Sequence, residues 1–133
     1  MTSDSTTPDD AALSPELGRA HLLRLRGDLS AAIDQCLAVL KKNPDHHEAH
    51  VMLGDLHAEA GSLDQAAEWY ELALDLRPDA EGDKAKLADV RERLRLRETD
   101  ARMESLGLPP ERNVTPLLAG GLLALVAVIA LFG

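Results

Sequence analysis

Two stretches of this chain align residue for residue: GDLSAAIDQCLAVLKKNP at residues 27–44 and GSLDQAAEWYELALDLRP at residues 61–78. They lie 34 residues apart, a spacing that also relates these identical pairs: Leu22/Leu56, Gly27/Gly61, Leu29/Leu63, Ala32/Ala66, Leu40/Leu74, Pro44/Pro78 and Asp45/Asp79. A period of this length indicates stacked structural repeats. The sequence therefore predicts an all-α fold in which helical hairpins bury their apolar faces by stacking on one another.

Turn and capping signals divide these repeats into helices. Ser14-Pro15 has the serine cap and the first-position proline of a helix start. Gly27 and Gly61 are placed to end the first helix of each hairpin, and SLDQ at residues 62–65 fits a capping box. The predicted helices cover residues 15–26, 28–42, 45–60, 62–76 and 81–106.

The repeat resembles the tetratricopeptide family. The second copy carries the motif residues Leu53, Gly54, Gly61, Ala66, Tyr70, Ala73 and Pro78, and the first carries Ala20, Gly27, Ala32, Val39 and Pro44. The first copy departs from the pattern at Arg19, where leucine is expected, and at Cys36, where an aromatic is expected. The resemblance implies a short α-solenoid at residues 13–106, with repeats at 13–46 and 47–80 and a capping helix at 81–106.

Tetratricopeptide proteins act as binding scaffolds that use a concave groove lined by the first helix of each hairpin. The resemblance places these residues in that groove: Leu17, His21, Arg24, Val51, Asp55, Ala58, Glu59, Ala85, Asp89 and Glu92. Some family members bind acidic tails with a clamp of basic and amide side chains. Here Asp55, Glu59 and Asp89 fill comparable positions with negative charge, so the predicted groove is acidic. The expected partner is an apolar and basic peptide segment or helix.

The composition narrows the class of protein. The formal net charge is −9, which argues against a nucleic-acid backbone as the partner. Residues 1–12 are polar and acidic, and they predict a disordered tail with no signal peptide. Cys36 is the only cysteine and lies in an apolar helical pattern, so we expect a buried thiol.

The last 20 residues differ completely from the rest of the chain. Residues 114–133 carry no charge and would span about 30 Å as a helix, enough to cross a bilayer core. They predict a C-terminal transmembrane helix after a linker at residues 107–113. Arg102 and Arg112 precede the span, which favours repeats on the cytoplasmic side. Ten arginines against four lysines favour a bacterial inner membrane.

Four of the five histidines lie at residues 46–57, and His46, His50 and His57 are candidate metal ligands. A histidine pair at i, i+4 can bind zinc or nickel. The favoured interpretation is that His50 and His57 pack against neighbouring helices while His46 and His47 lie at an exposed helix start. The sequence has no catalytic motif, and it predicts neither an enzyme nor a cofactor.

These observations predict a membrane-tethered, non-catalytic adaptor that binds a protein partner through its groove. One alternative is an accessory subunit of a larger membrane complex, with the span packed inside that complex. A second is a metal-handling protein that uses the histidine cluster. Gly120 and Ala124 are spaced for close helix contact, which leaves homo-oligomerisation open.

Overall fold

The computed structural model describes residues 14–109, and this part of the chain contains helices and no strands. The helices are α1 (Pro15–Leu25), α2 (Leu29–Lys42), α3 (His47–Glu59), α4 (Leu63–Leu76) and α5 (Glu81–Ser105). The prediction of an all-α repeat arrangement is confirmed for these residues.

Local chemistry explains most of the helix ends. Ser14 Oγ accepts a hydrogen bond from the backbone N–H of Leu17 at 3.2 Å, as the cap prediction requires. Gly27 and Gly61 have φ of 82° and 83°, a left-handed conformation that glycine adopts without strain. The capping-box prediction was wrong, because the Ser62 side chain makes no capping hydrogen bond. There the backbone closes the turn, with the Ser62 N–H donating to the His57 carbonyl at 2.9 Å.

The helices pack as two hairpins, α1 with α2 and α3 with α4, and α2 packs against α3 to join them. Small side chains allow these close approaches: Ala20, Ala32, Cys36 and Ala49 are fully buried. Larger residues fill the space around them, and Leu53 and Leu56 of α3 are also fully buried in this cluster. A leucine and alanine core of this kind suits helix packing.

The first half of α5 belongs to the same compact unit, which ends at Arg93. Leu87 and Val90 of α5 are buried, as a capping helix requires. The buried Asp83 accepts a 2.6 Å contact from His47 Nε2, which ties the start of α5 to the start of α3. Within the described residues, a second unit begins at Leu94, and α5 continues in it to Ser105.

Several predictions concern residues outside the described part of the chain. These are the acidic tail at 1–12, the transmembrane helix at 114–133 and most of the linker before it. Between residues 14 and 109, no helix is long and apolar enough to cross a membrane.

Candidate partner-binding groove

The groove is built on a close contact between α3 and α4. The Tyr70 ring of α4 lies against Gly54 of α3, where an added Cβ would be 2.4 Å from the ring atom Cε1. Only glycine leaves room for this ring. Because the ring lies against Gly54, its hydroxyl is placed within hydrogen-bond distance of the next residue on α3, Asp55. The Tyr70 hydroxyl donates to Asp55 Oδ1 at 2.5 Å. Burial, and then this hydrogen bond, raise the pKa of Tyr70, so the phenol remains a donor.

Asp55 joins four helices through its carboxylate. Besides Tyr70, it accepts hydrogen bonds from Lys86 Nζ of α5 at 2.8 and 2.9 Å. Arg24 Nη1 of α1 lies 3.5 Å from Asp55 Oδ2. Because the Asp55 side chain is only 16% exposed, these partners replace most of its hydration. Asp55 therefore stabilises the floor of the groove.

The rim of the groove is more open than its floor. Arg24 Nε donates to Glu59 Oε1 at 2.6 Å, and this bond is the main cause that raises the pKa of Arg24. The Arg24 and Glu59 side chains are 30% and 40% exposed. On α5, Asp89 is 69% exposed, and its Oδ2 lies 3.7 Å from Arg93 Nη1. Exposed pairs of this kind contribute little stability, so they can be exchanged for other partners.

The cavity between these side chains has a volume of about 310 Å³. Five of the predicted groove residues line it: Arg24, Asp55, Ala58, Glu59 and Asp89. The other five lie elsewhere. Leu17 and Val51 are buried, whereas His21, Ala85 and Glu92 are exposed outside the lining.

Four lining residues were not among the predicted groove residues: Tyr70, Lys86, Val90 and Arg93. Three of these are on α5 at spacings of three and four from one another, so they share one helix face with Asp89. That spacing was a signal that could have found them. They also change the electrostatics, because Arg24, Lys86 and Arg93 match Asp55, Glu59 and Asp89 one for one. The groove has balanced charge, where the sequence predicted an acidic one.

The histidines have structural contacts in the described residues. The prediction that His46 and His47 are exposed was wrong, since both are buried. His46 Nδ1 caps α3 by accepting from the Ala49 N–H at 3.3 Å, and His47 contacts Asp83 across the helices. The His50 ring packs 5.7 Å from the Trp69 ring, and His57 is partly buried.

Among residues 14–109, no group of three or more His, Cys, Asp or Glu side chains is placed to hold a metal ion. The contacts of His46, His47 and His50 give these histidines structural roles at the start of α3 and in its packing against α4 and α5.

A sequence model of the tetratricopeptide repeat matches residues 17–81, which span both hairpins. The comparison with curated proteins found no match. The paired helices, the glycine turns and the Gly54–Tyr70 contact agree with the family match. Residues 17–81 of this chain are therefore tetratricopeptide repeats. Such repeats serve protein–protein interaction and are in general non-catalytic scaffolds.

Proposed function

We propose that this protein is a non-catalytic, membrane-tethered adaptor that holds a partner segment in the groove between α1, α3 and α5. The partner segment carries basic side chains beside apolar ones. The observation that carries this proposal is the cavity of about 310 Å³ on the first helices of the hairpins, with exchangeable acids at its rim.

The accessible acids define the chemistry of the partner. Glu59 and Asp89 are the more exposed carboxylates of the groove, whereas Asp55 is committed to its contacts with Tyr70 and Lys86. A basic side chain of the partner would take the place of Arg24 at Glu59. Arg24 therefore acts as an internal competitor for the site, because its guanidinium already occupies the carboxylate that the partner needs.

The membrane part of the proposal rests on the sequence of residues 114–133. An uncharged segment of this length is stable in a bilayer core and costly to expose to water. Arginines ahead of the segment favour repeats that face the cytoplasm. The arrangement would concentrate the groove at one membrane surface and so raise the encounter rate with membrane-bound partners.

Site-specific photo-crosslinking in native membranes tests the groove. A photoreactive residue at Ala58, which lines the groove, should capture a partner that mass spectrometry identifies, and Glu59→Lys should abolish the capture. The same residue at Glu68, exposed on α4 outside the groove lining, is the control position. Equal capture from both positions would refute groove binding.

The sign of the partner's charge is tested by Arg24→Ala. Removal of the internal competitor should raise the affinity for a basic segment about three- to tenfold, after thermal unfolding has shown that the variant is folded. A lower affinity for the basic segment would mean that Arg24 supports its binding, which would refute the role of Arg24 as a competitor. Fractionation tests membrane attachment through residues 114–133. The full chain should remain with membranes after carbonate washing, and a chain ending at residue 113 should not.

A further inference from the structure

A second surface lies on α1, on the side away from the groove. It is formed by Arg19, Leu22, Leu23 and Arg26 of α1 with Gln35 of α2, which line a cleft of about 190 Å³. Leu22 is 59% exposed and its neighbour Leu25 is 84% exposed. Leu22 is two positions before the groove residue Arg24, and Arg26 is two positions after it. Two positions correspond to a rotation of about 200° around the helix axis, so both residues lie nearly opposite Arg24. We name this surface the α1 outer face.

The equivalent face of α3 in the second repeat is covered by another helix. At the 34-residue period, Arg19 corresponds to Leu53 and Leu22 to Leu56. Both leucines of α3 are fully buried, and α2 packs against α3. On α3, the second helix of the preceding hairpin covers this position. Among the described residues, no helix precedes α1 to do the same.

The charges on the α1 outer face point to an acidic occupant. Arg19 and Arg26 form no ion pair within 4.0 Å among residues 14–109, whereas Arg24, Lys86 and Arg91 are all paired there. Glu16 interacts with Arg19 electrostatically from one turn earlier on α1. Arg19 and Arg26 are seven residues apart, which places them about 10 Å apart along one side of the helix. They flank Leu22, so an apolar contact lies between two cations.

We propose that the α1 outer face binds an acidic amphipathic helix of a partner protein. This helix lies where the second helix of a preceding hairpin would stack. Its apolar side covers Leu22 and Leu23, as α2 covers Leu53 and Leu56 of α3. Two carboxylates about two turns apart on that helix pair with Arg19 and Arg26. The surface is separate from the groove and does not depend on its function.

Fluorescence anisotropy with the full chain in zwitterionic nanodiscs tests this proposal. The probe is a stapled helical peptide of about four turns (~15 residues), with leucines on one face and two glutamates seven residues apart. The double variant Arg19→Glu/Arg26→Glu should lower the affinity for this peptide at least tenfold. It should also gain affinity for a matched peptide with lysines at the two positions. Leu22→Ser should weaken binding of the glutamate peptide when it is made in the unsubstituted protein. It should also weaken binding of the lysine peptide when it is made in the double variant.

Matched controls distinguish binding at the α1 outer face from a general charge effect and from binding in the groove. Lys41→Glu changes an exposed cation on α2 that does not line the cleft and should leave the affinity within about twofold. Equal loss in Lys41→Glu and in the double variant would show a general charge effect and overturn the proposal. A loss of affinity caused by Arg93→Gln, which removes an exposed cation of the groove, would place the acidic peptide in the groove and also overturn the proposal.

Two further outcomes would assign the face to another occupant and overturn the proposal. One is self-association of the unliganded protein in analytical ultracentrifugation that Arg19→Glu/Arg26→Glu abolishes, because a second copy would then cover the face. The other is a tenfold or greater rise in peptide affinity when residues 1–12 are removed, because the acidic tail would then occupy the cleft.

Discussion

The contact between Gly54 and Tyr70 predicts that glycine-to-alanine substitution has opposite effects in α1 and α3. In an open helical site, alanine is more stable than glycine by about 1 kcal/mol. Gly18 of α1 is such a site, since an added Cβ there meets nothing within 4 Å. Gly18→Ala should therefore stabilise the protein by about 0.5–1 kcal/mol.

Gly54→Ala adds the same methyl group in a closed site. The new Cβ would lie 2.4, 2.5 and 2.8 Å from three atoms of the Tyr70 ring, which is itself buried. Overpacking of this kind costs about 1–3 kcal/mol. Displacement of the ring also weakens its hydrogen bond to the Asp55 carboxylate, which costs about 1.5–3 kcal/mol. After subtraction of the helix-propensity gain of about 1 kcal/mol, the net loss of stability should be about 1.5–5 kcal/mol.

Chemical unfolding followed by circular dichroism measures both changes, and a double-variant cycle tests the cause. In a Tyr70→Ala background the clash is absent, so Gly54→Ala should become neutral or stabilising by up to about 1 kcal/mol. This reversal of sign is the decisive result. If Gly54→Ala costs the same with and without the ring, the ring is not the reason for glycine at this position.

Three further predictions concern single side chains. Burial raises the pKa of the Cys36 thiol to about 12, so alkylation at about pH 8 should be roughly a thousandfold slower in the folded protein than in urea; rapid native alkylation would contradict this burial. Burial lowers the pKa of His57 below its ordinary value of 6.5. On acidification the unfolded chain therefore binds this proton before the folded chain does, and the folded protein loses stability as the pH falls through and below 6.5. His57→Gln should reduce the difference in urea stability between about pH 7.5 and about pH 5.5, and an unchanged difference would show that His57 has no part in it. Ser14→Ala should lower the free energy of unfolding by about 1 kcal/mol and Ser62→Ala by less than about 0.5 kcal/mol, because of these two serines only Ser14 makes a capping hydrogen bond. Equal losses in thermal unfolding would refute this assignment.

The helices were predictable because their signals are local. Gly27 and Gly61 mark turns that need a left-handed backbone, and the apolar period continues between them. The start of α3 was missed by two residues, since the sequence favoured Asp45 as the first residue. In the structure, His46 caps the helix through its ring nitrogen, while the Asp45 N–H bonds to Asn43 Oδ1 within the preceding turn.

The groove was only partly predictable because it depends on contacts between helices. Leu17, Val51 and Ala85 are equivalent positions at the 34-residue period, and all three were placed in the groove. The first two are buried, while Ala85 of the unpaired α5 is exposed. The 34-residue period correctly identifies equivalent positions in the repeats. It does not indicate which side of each first helix is buried against the second helix of the same hairpin.

The partners of Asp55 show the same limit for charge. Nothing local indicates that Lys86, 31 residues away, reaches this carboxylate, so the groove seemed acidic. The burial of His47 has a similar cause, since its contact with Asp83 exists only once α5 has docked.

The buried residues of α5 make the array open to extension by protein engineering. Leu87 and Val90 lie 34 residues after Leu53 and Leu56 and are buried as those leucines are, so α5 imitates the first helix of a third hairpin. A 34-residue hairpin inserted between Ala80 and Glu81 would present the same stacking surface to α5. The groove would then be longer by one hairpin, and the length of the bound ligand could be chosen by design. The insertion leaves both ends of the chain unaltered.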